Sequence, residues 1–160
     1  MFYAAIAFLA AVAIAEIVVS ARWTRGYFAF GVPIFIRRIE RPAGLGEVSL
    51  EALQKSAATV AATPLLFRRL DANLIAFREK AFGGSLHYFP LMRGAIRHRD
   101  GEPSVRVVGL MNWTFVALLL VCVAWARTDF GIMAPYLALA FGVLYLIQAV
   151  RYNRVAKALR

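Results

Sequence analysis

The sequence predicts a membrane protein with three transmembrane α-helices, one N-terminal and two forming a C-terminal hairpin. Between the first and second helices it predicts an inserted cytoplasmic α+β domain of four to five antiparallel strands and one helix. Three observations carry this expectation. Of 160 residues, 61% are hydrophobic, with a mean hydropathy of +0.65, more apolar than an ordinary soluble domain. Charged side chains are missing from residues 2–15, 107–126 and 130–150. The stretch between the first two of these blocks is basic, rich in turn residues and patterned like a small folded domain.

The boundaries that follow are residues 1–22 for the first span and 23–108 for the domain. The second span takes residues 109–126, the third 130–150, and a basic cytoplasmic tail 151–160. The apolar run Phe2–Ala21 is about 20 residues long, enough to cross a hydrocarbon core of about 30 Å. A cleaved signal would place basic residues ahead of the apolar run, whereas Arg22 and Arg25 follow it, so a retained anchor is expected. The second and third spans are joined by the short stretch Arg127–Phe130, which makes them a hairpin, and Pro135 falls in a first helical turn, where its missing N–H costs little.

Within the domain, Tyr27–Ile39 is rich in aromatic and β-branched residues and predicts a long or broken strand with a bulge or edge at Gly31 and Pro33. Arg41–Val48 predicts a loop. A helix is expected from Ser49 to about Ala62, with Leu50, Leu53, Ala57 and Val60 on one face and Pro64 as its stop. Leu66–Leu70 and Leu74–Glu79 flank a polar turn and predict a hairpin. Ser85–Arg99 predicts a strand bent at Pro90, and Ser104–Val108 returns after the turn signal Asp100-Gly101-Glu102-Pro103.

Net charge is +10, and of the 19 basic residues only Lys55, Lys80 and Lys157 are lysines. A codon bias produces such an arginine excess, and so does contact with phosphate, whose oxygens suit the guanidinium fork. The domain and the tail hold almost all of these charges. By the positive-inside rule they share the cytoplasmic side of a multi-pass inner-membrane protein, with the N-terminus and the hairpin turn outside. The expected contact residues for anionic inner-leaflet lipid or a partner are Arg37, Arg38 and Arg41, Arg68 and Arg69, and Arg97, Arg99 and Arg106. Each such charge near an anionic surface contributes about 1 kcal/mol.

Glu16 is the one ionisable residue well inside an apolar run, about 8 Å by helix rise from the inner interface, with Asn112 and Gln148 at similar depth. Two readings follow: a polar cluster that pins the helices together, or a contact or proton site. Ala7, Ala11 and Ala15, and Ala134, Ala138 and Gly142, are spaced for close helix packing within the chain or in a homo-oligomer.

The chemistry-bearing motifs are thin. Ser85 and His87 share a strand face, but no orienting acid or oxyanion motif accompanies them. His98 lies between Arg97 and Arg99, which disfavours a cation. Two histidines and the lone Cys122 do not make a zinc set, and Gly44-x-Gly46 lacks the rest of a phosphate loop. No catalytic residue, metal ligand or cofactor is assigned. Nucleic acid is disfavoured, because no reading motif is present and the domain is tethered to a bilayer. The expected role is an accessory or scaffold protein presenting a partner-binding domain. The alternatives are an anionic-lipid-binding module and a membrane enzyme acting on lipid through Glu16, Ser85 or His87.

Overall fold

A computed structural model of the chain describes residues 2–40, 45, 49–51, 53–55, 65–79, 92–99, 102–126, 134–157 and 159. It contains a five-stranded antiparallel sheet and four named helices among these residues. Helix α1 (Phe2–Ala21) is apolar but for Glu16 and Ser20, and its Tyr3–Ala21 stretch has a mean hydropathy of 2.4 with none of it buried. Among the described residues it is the one helix both long and apolar enough to cross a membrane.

A turn follows, with Trp23 in the left-handed region at φ 54°, an uncommon conformation for a bulky side chain. The short helix α2 (Arg25–Ala29) comes next. This corrects the strand expected over Tyr27–Ile39: only Pro33–Glu40 is strand, and the segment's start is helical. Strand alternation would send Tyr27 and Phe28 to opposite faces. The helical turn lets both bury against the sheet beside Ala76, so tertiary packing overrides their strand propensity.

The strands are β1 (Pro33–Glu40), β2 (Leu65–Asp71), β3 (Leu74–Glu79), β4 (Arg93–His98) and β5 (Ser104–Leu110). Their order is β1-β5-β4-β3-β2. Strands β2 to β5 form a meander, and β1 joins on the free side of β5, leaving β1 and β2 as edges. The expected hairpin is present as β2 and β3. The expected irregularity near Pro33 is a register shift between Pro33 and Phe35. The helix expected from Ser49 is helical at 50, 51 and 53–55, with Leu53 buried, and its continuation lies outside the described residues. Most of the Arg41–Val48 loop, the Ser85–Leu91 stretch and the Arg127–Phe130 turn also lie outside them.

After β5 come α3 (Trp113–Ala126) and α4 (Ala134–Lys157). The second span was expected from Gly109, but Gly109 and Leu110 are strand residues paired to Gly94 and Arg93. The helix begins only at Trp113, once Asn112 has turned the chain and offered its carbonyl to the N–H groups of Phe115 and Val116. The expected tail also departs from the sequence reading. Helix α4 continues to Lys157, and Tyr152, Val155, Ala156 and Leu159 are buried in the main core.

Strand alternation divides the sheet into two faces. On the α4 face lie Ile39, Val105, Val107, Ile96, Ile75, Phe77, Leu65 and Phe67, packed with the end of α4 and with Leu45 and Leu53. On the α2 face, Tyr27 and Phe28 cover Ala76, with Val19, Trp23 and Leu70 packed around them.

Candidate functional site

The predicted arginine pairs do not form one patch. Neighbours along a strand point to opposite faces, and the sheet separates them. Arg37 turns to the α4 face and donates to Asn153 Oδ1, while Arg38 is exposed on the α2 face. Arg69, on the α4 face, donates to the Leu45 carbonyl (2.9 Å), while Arg68 is exposed on the other face. Arg41 lies outside the described residues.

What the sheet does bring together is a row: Arg38 pairs in register with Arg106, and Arg106 with Arg97, across β1, β5 and β4. The row is only partly available. Arg97 donates to the Ala29 carbonyl (2.5 Å) and the Phe28 carbonyl (3.3 Å), cationic donors at the last carbonyls of α2. Arg106 donates to both oxygens of Glu102 (3.0 and 3.1 Å), and Arg99 lies 3.9 Å from the same carboxylate. The hydrogen bond from Arg106 holds the Glu102 carboxyl below its usual range. Of the predicted contact residues on this face, Arg38, Arg68 and Arg99 are the exposed ones.

Two arginines missed by sequence reasoning lie deeper on the same face. Arg93 is only 2% exposed. Its guanidinium donates to the Tyr27 carbonyl (2.6 Å) and twice to the Met111 carbonyl (3.1 and 2.6 Å), and it lies 4.0 Å from the Tyr27 ring centroid. One charged group thus ties α2, β4 and the start of α3 together. Burial pushes its pKa down, and burial also pushes the Tyr27 hydroxyl well up, so Tyr27 stays a neutral donor. Arg78 covers the Trp23 ring at 5.0 Å. Gly31 allows the approach of Arg93, since a Cβ there would sit 2.9 Å from Arg93 Nη2.

Glu16 occupies a built position. Its Oε1 accepts from Tyr27 Oη (2.6 Å) and the Trp113 N–H (2.8 Å), and its Oε2 accepts from the Thr114 N–H (2.8 Å) and Thr114 Oγ1 (2.6 Å). A carboxylate at a helix N-terminus satisfies N–H groups that no helical partner reaches and meets the favourable end of the helix dipole. The side chain therefore fastens α1 to α3 and α2. Asn112 is buried beside this junction, and Gln148 on α4 lines one cavity together with Asn112.

On the α4 face a second polar element was not foreseen. Glu79 and Arg151 form a buried ion pair (2.8 Å), and the other Glu79 oxygen accepts the Met92 N–H (3.0 Å). Tyr152 beside them is 1% exposed, and its hydroxyl donates to the Arg93 carbonyl (2.7 Å). Its ring lies over Gly109, where a Cβ would come within 2.6 Å of it. The signal in the sequence was the pair of glycines, Gly94 and Gly109, which stand opposite each other and make room for the Phe77 and Tyr152 rings.

Among the described residues no group of three or more His, Cys, Asp or Glu side chains is placed to hold a metal. His98 Nδ1 lies 3.3 Å from the Ser104 carbonyl, and Ser85 and His87 lie outside the described residues. No family model matches the chain, and the comparisons with curated proteins and with solved structures found no match either.

Proposed function

We propose that the chain is a multi-pass inner-membrane accessory protein with three spans, whose cytoplasmic sheet domain docks a partner at the open β1 edge of its α2 face. One observation carries the docking reading. The face is covered over β3 and β4, yet Ile36 at the centre of edge strand β1 is 62% exposed, and Phe30 (74%) and Val32 (44%), in the segment leading into that strand, are exposed as well. An exposed apolar side chain at the middle of an edge strand, bordered by Arg38, is a feature that lone soluble sheets normally blunt or cover. The span reading is supported by outward apolar side chains on α1, α3 and α4: Ile14 and Ile17 on α1, Leu120 and Val123 on α3, Leu139, Leu146 and Val150 on α4.

The lipid-headgroup alternative has less support, because its arginines divide between two faces and several are engaged by carbonyls or by Glu102. For the enzyme alternative, Glu16 has both oxygens engaged by donors.

Extraction in mild detergent from the native host, with native mass measured and companions identified by mass spectrometry, tests the reading. A second chain at fixed stoichiometry is expected. A monomer or homo-oligomer carrying anionic lipid contradicts it. For the orientation, a Pro103→Cys probe in a Cys122→Ser background is expected to react with an impermeant reagent only in opened cells.

A further inference from the structure

Between α3 and α4, where both meet the sheet, lies a cavity of about 320 Å³, within the size range of small-molecule sites. None of the residues lining it is charged. The sheet end carries the amides of Asn112 and Gln148, both buried, beside the apolar Ile34, Leu110 and Met111, and an amide both donates and accepts. Phe115 and then Leu119 line it successive turns further along α3, and Leu144 and then Phe141 do so back along α4. The Phe115 and Phe141 rings meet edge to face at 4.9 Å.

We infer that this cavity binds a neutral amphiphile: a hydrocarbon chain bearing a hydroxyl or ester head, such as a monoacylglycerol or a long-chain alcohol. The chain lies between Phe115, Leu119, Phe141 and Leu144, and the head meets the Asn112 and Gln148 amides. The inference rests on the membrane reading of α3 and α4 proposed above. In that setting the amides sit towards the water interface and the apolar end towards the hydrocarbon, the direction in which an amphiphile lies in a bilayer. An apolar cavity of this kind takes up apolar ligands rather than water. With no cation among its lining residues, an anionic head would be desolvated without a counter-charge.

The test uses the full chain in phosphatidylcholine vesicles, a diazirine-bearing long-chain alcohol as probe, and mass-spectrometric mapping of adducts. Adducts are expected on Phe115, Leu119, Phe141 or Leu144. An unlabelled monoacylglycerol is expected to compete at least about tenfold better than an alkyl sulfonate of equal chain length. A Cβ at Gly142 meets nothing within 4 Å, so Gly142→Leu fills the space without a backbone clash. That variant is expected to lose the lining adducts while keeping the outward ones on Leu120, Val123 and Leu146. Gln148→Leu is expected to erase the preference for the uncharged head. Outward adducts without lining adducts in the wild type, lining adducts that survive Gly142→Leu, or equal competition by the sulfonate would each overturn the site and leave the membrane reading intact. No adduct anywhere on α3 or α4 would overturn both.

Discussion

On the α4 face, every strand contributes an apolar side chain to one core, and the end of α4 with Leu45 and Leu53 covers it. On the α2 face, β3 and β4 are covered by a helix of five residues, while Ile36 and Arg38 on β1 stay open. Polar groups follow the same division. The α4 face buries one carboxylate with one guanidinium, Glu79 with Arg151, whereas the α2 face carries arginines on all five strands: Arg38, Arg106, Arg93 and Arg97, Arg78, and Arg68. The first face is built to hold the fold, and the second leaves its β1 edge open, while Val108 and Leu110 on the neighbouring β5 are buried. Substitutions on the two faces therefore separate stability from binding.

The largest stability losses are expected on the α4 face. Tyr152→Ala removes a buried ring and a hydrogen bond, and is expected to cost about 3–5 kcal/mol in denaturant unfolding followed in micelles. Glu79→Ala strands the buried Arg151 charge and is expected to cost about 3–5 kcal/mol, whereas replacing both partners by Leu is expected to recover most of that. If the single and double changes cost the same, the ion pair is not what fixes α4 to the sheet.

An intermediate effect is expected at Glu16. Glu16→Leu removes the acceptor for Trp113, Thr114 and Tyr27, and is expected to cost about 1–2 kcal/mol, the range for a lost helix cap. A lowered unfolding midpoint with the sheet's amide-exchange protection retained would place the loss at the α1–α3 junction. The smallest stability effect is expected at the open β1 edge of the α2 face: Ile36→Thr and Arg38→Gln are each expected to stay within about 0.5 kcal/mol of wild type. They are nevertheless expected to release the co-purifying chain. A large destabilisation there would show that the exposed edge is structural, and the comparison between faces would fail.

The division between faces was only partly legible in the sequence. The β2–β3 hairpin, β4 and β5 follow from alternating residues and turn signals, because local chemistry decides them. The first stretch of the domain did not follow: Tyr27 and Phe28 have strand propensity, yet a helical turn buries both against Ala76. The end of α4 was hidden for a related reason. Arg151, Arg154 and Lys157 make residues 151–160 read as a solvated tail, while Tyr152, Val155 and Ala156 lie between them at helical spacing and enter the core. Arginine pairs look like surface units in the sequence because adjacency is visible there and pleat direction is not, until the register is known. Glu16 was flagged by its place in an apolar run, but its role as the cap of a helix almost a hundred residues away depends on tertiary packing that no local pattern reports.

On the α2 face the β1 edge, and not the β2 edge, is expected to meet a partner. The most direct test places a photoreactive amino acid at Ile36 of the full-length protein in its native host, with the same substitution at Arg68 on the opposite edge strand as the comparison. One discrete protein adduct of fixed mass is expected at Ile36 and none at Arg68. Adducts with lipid alone at Ile36, or the same protein adduct from both positions, would contradict it.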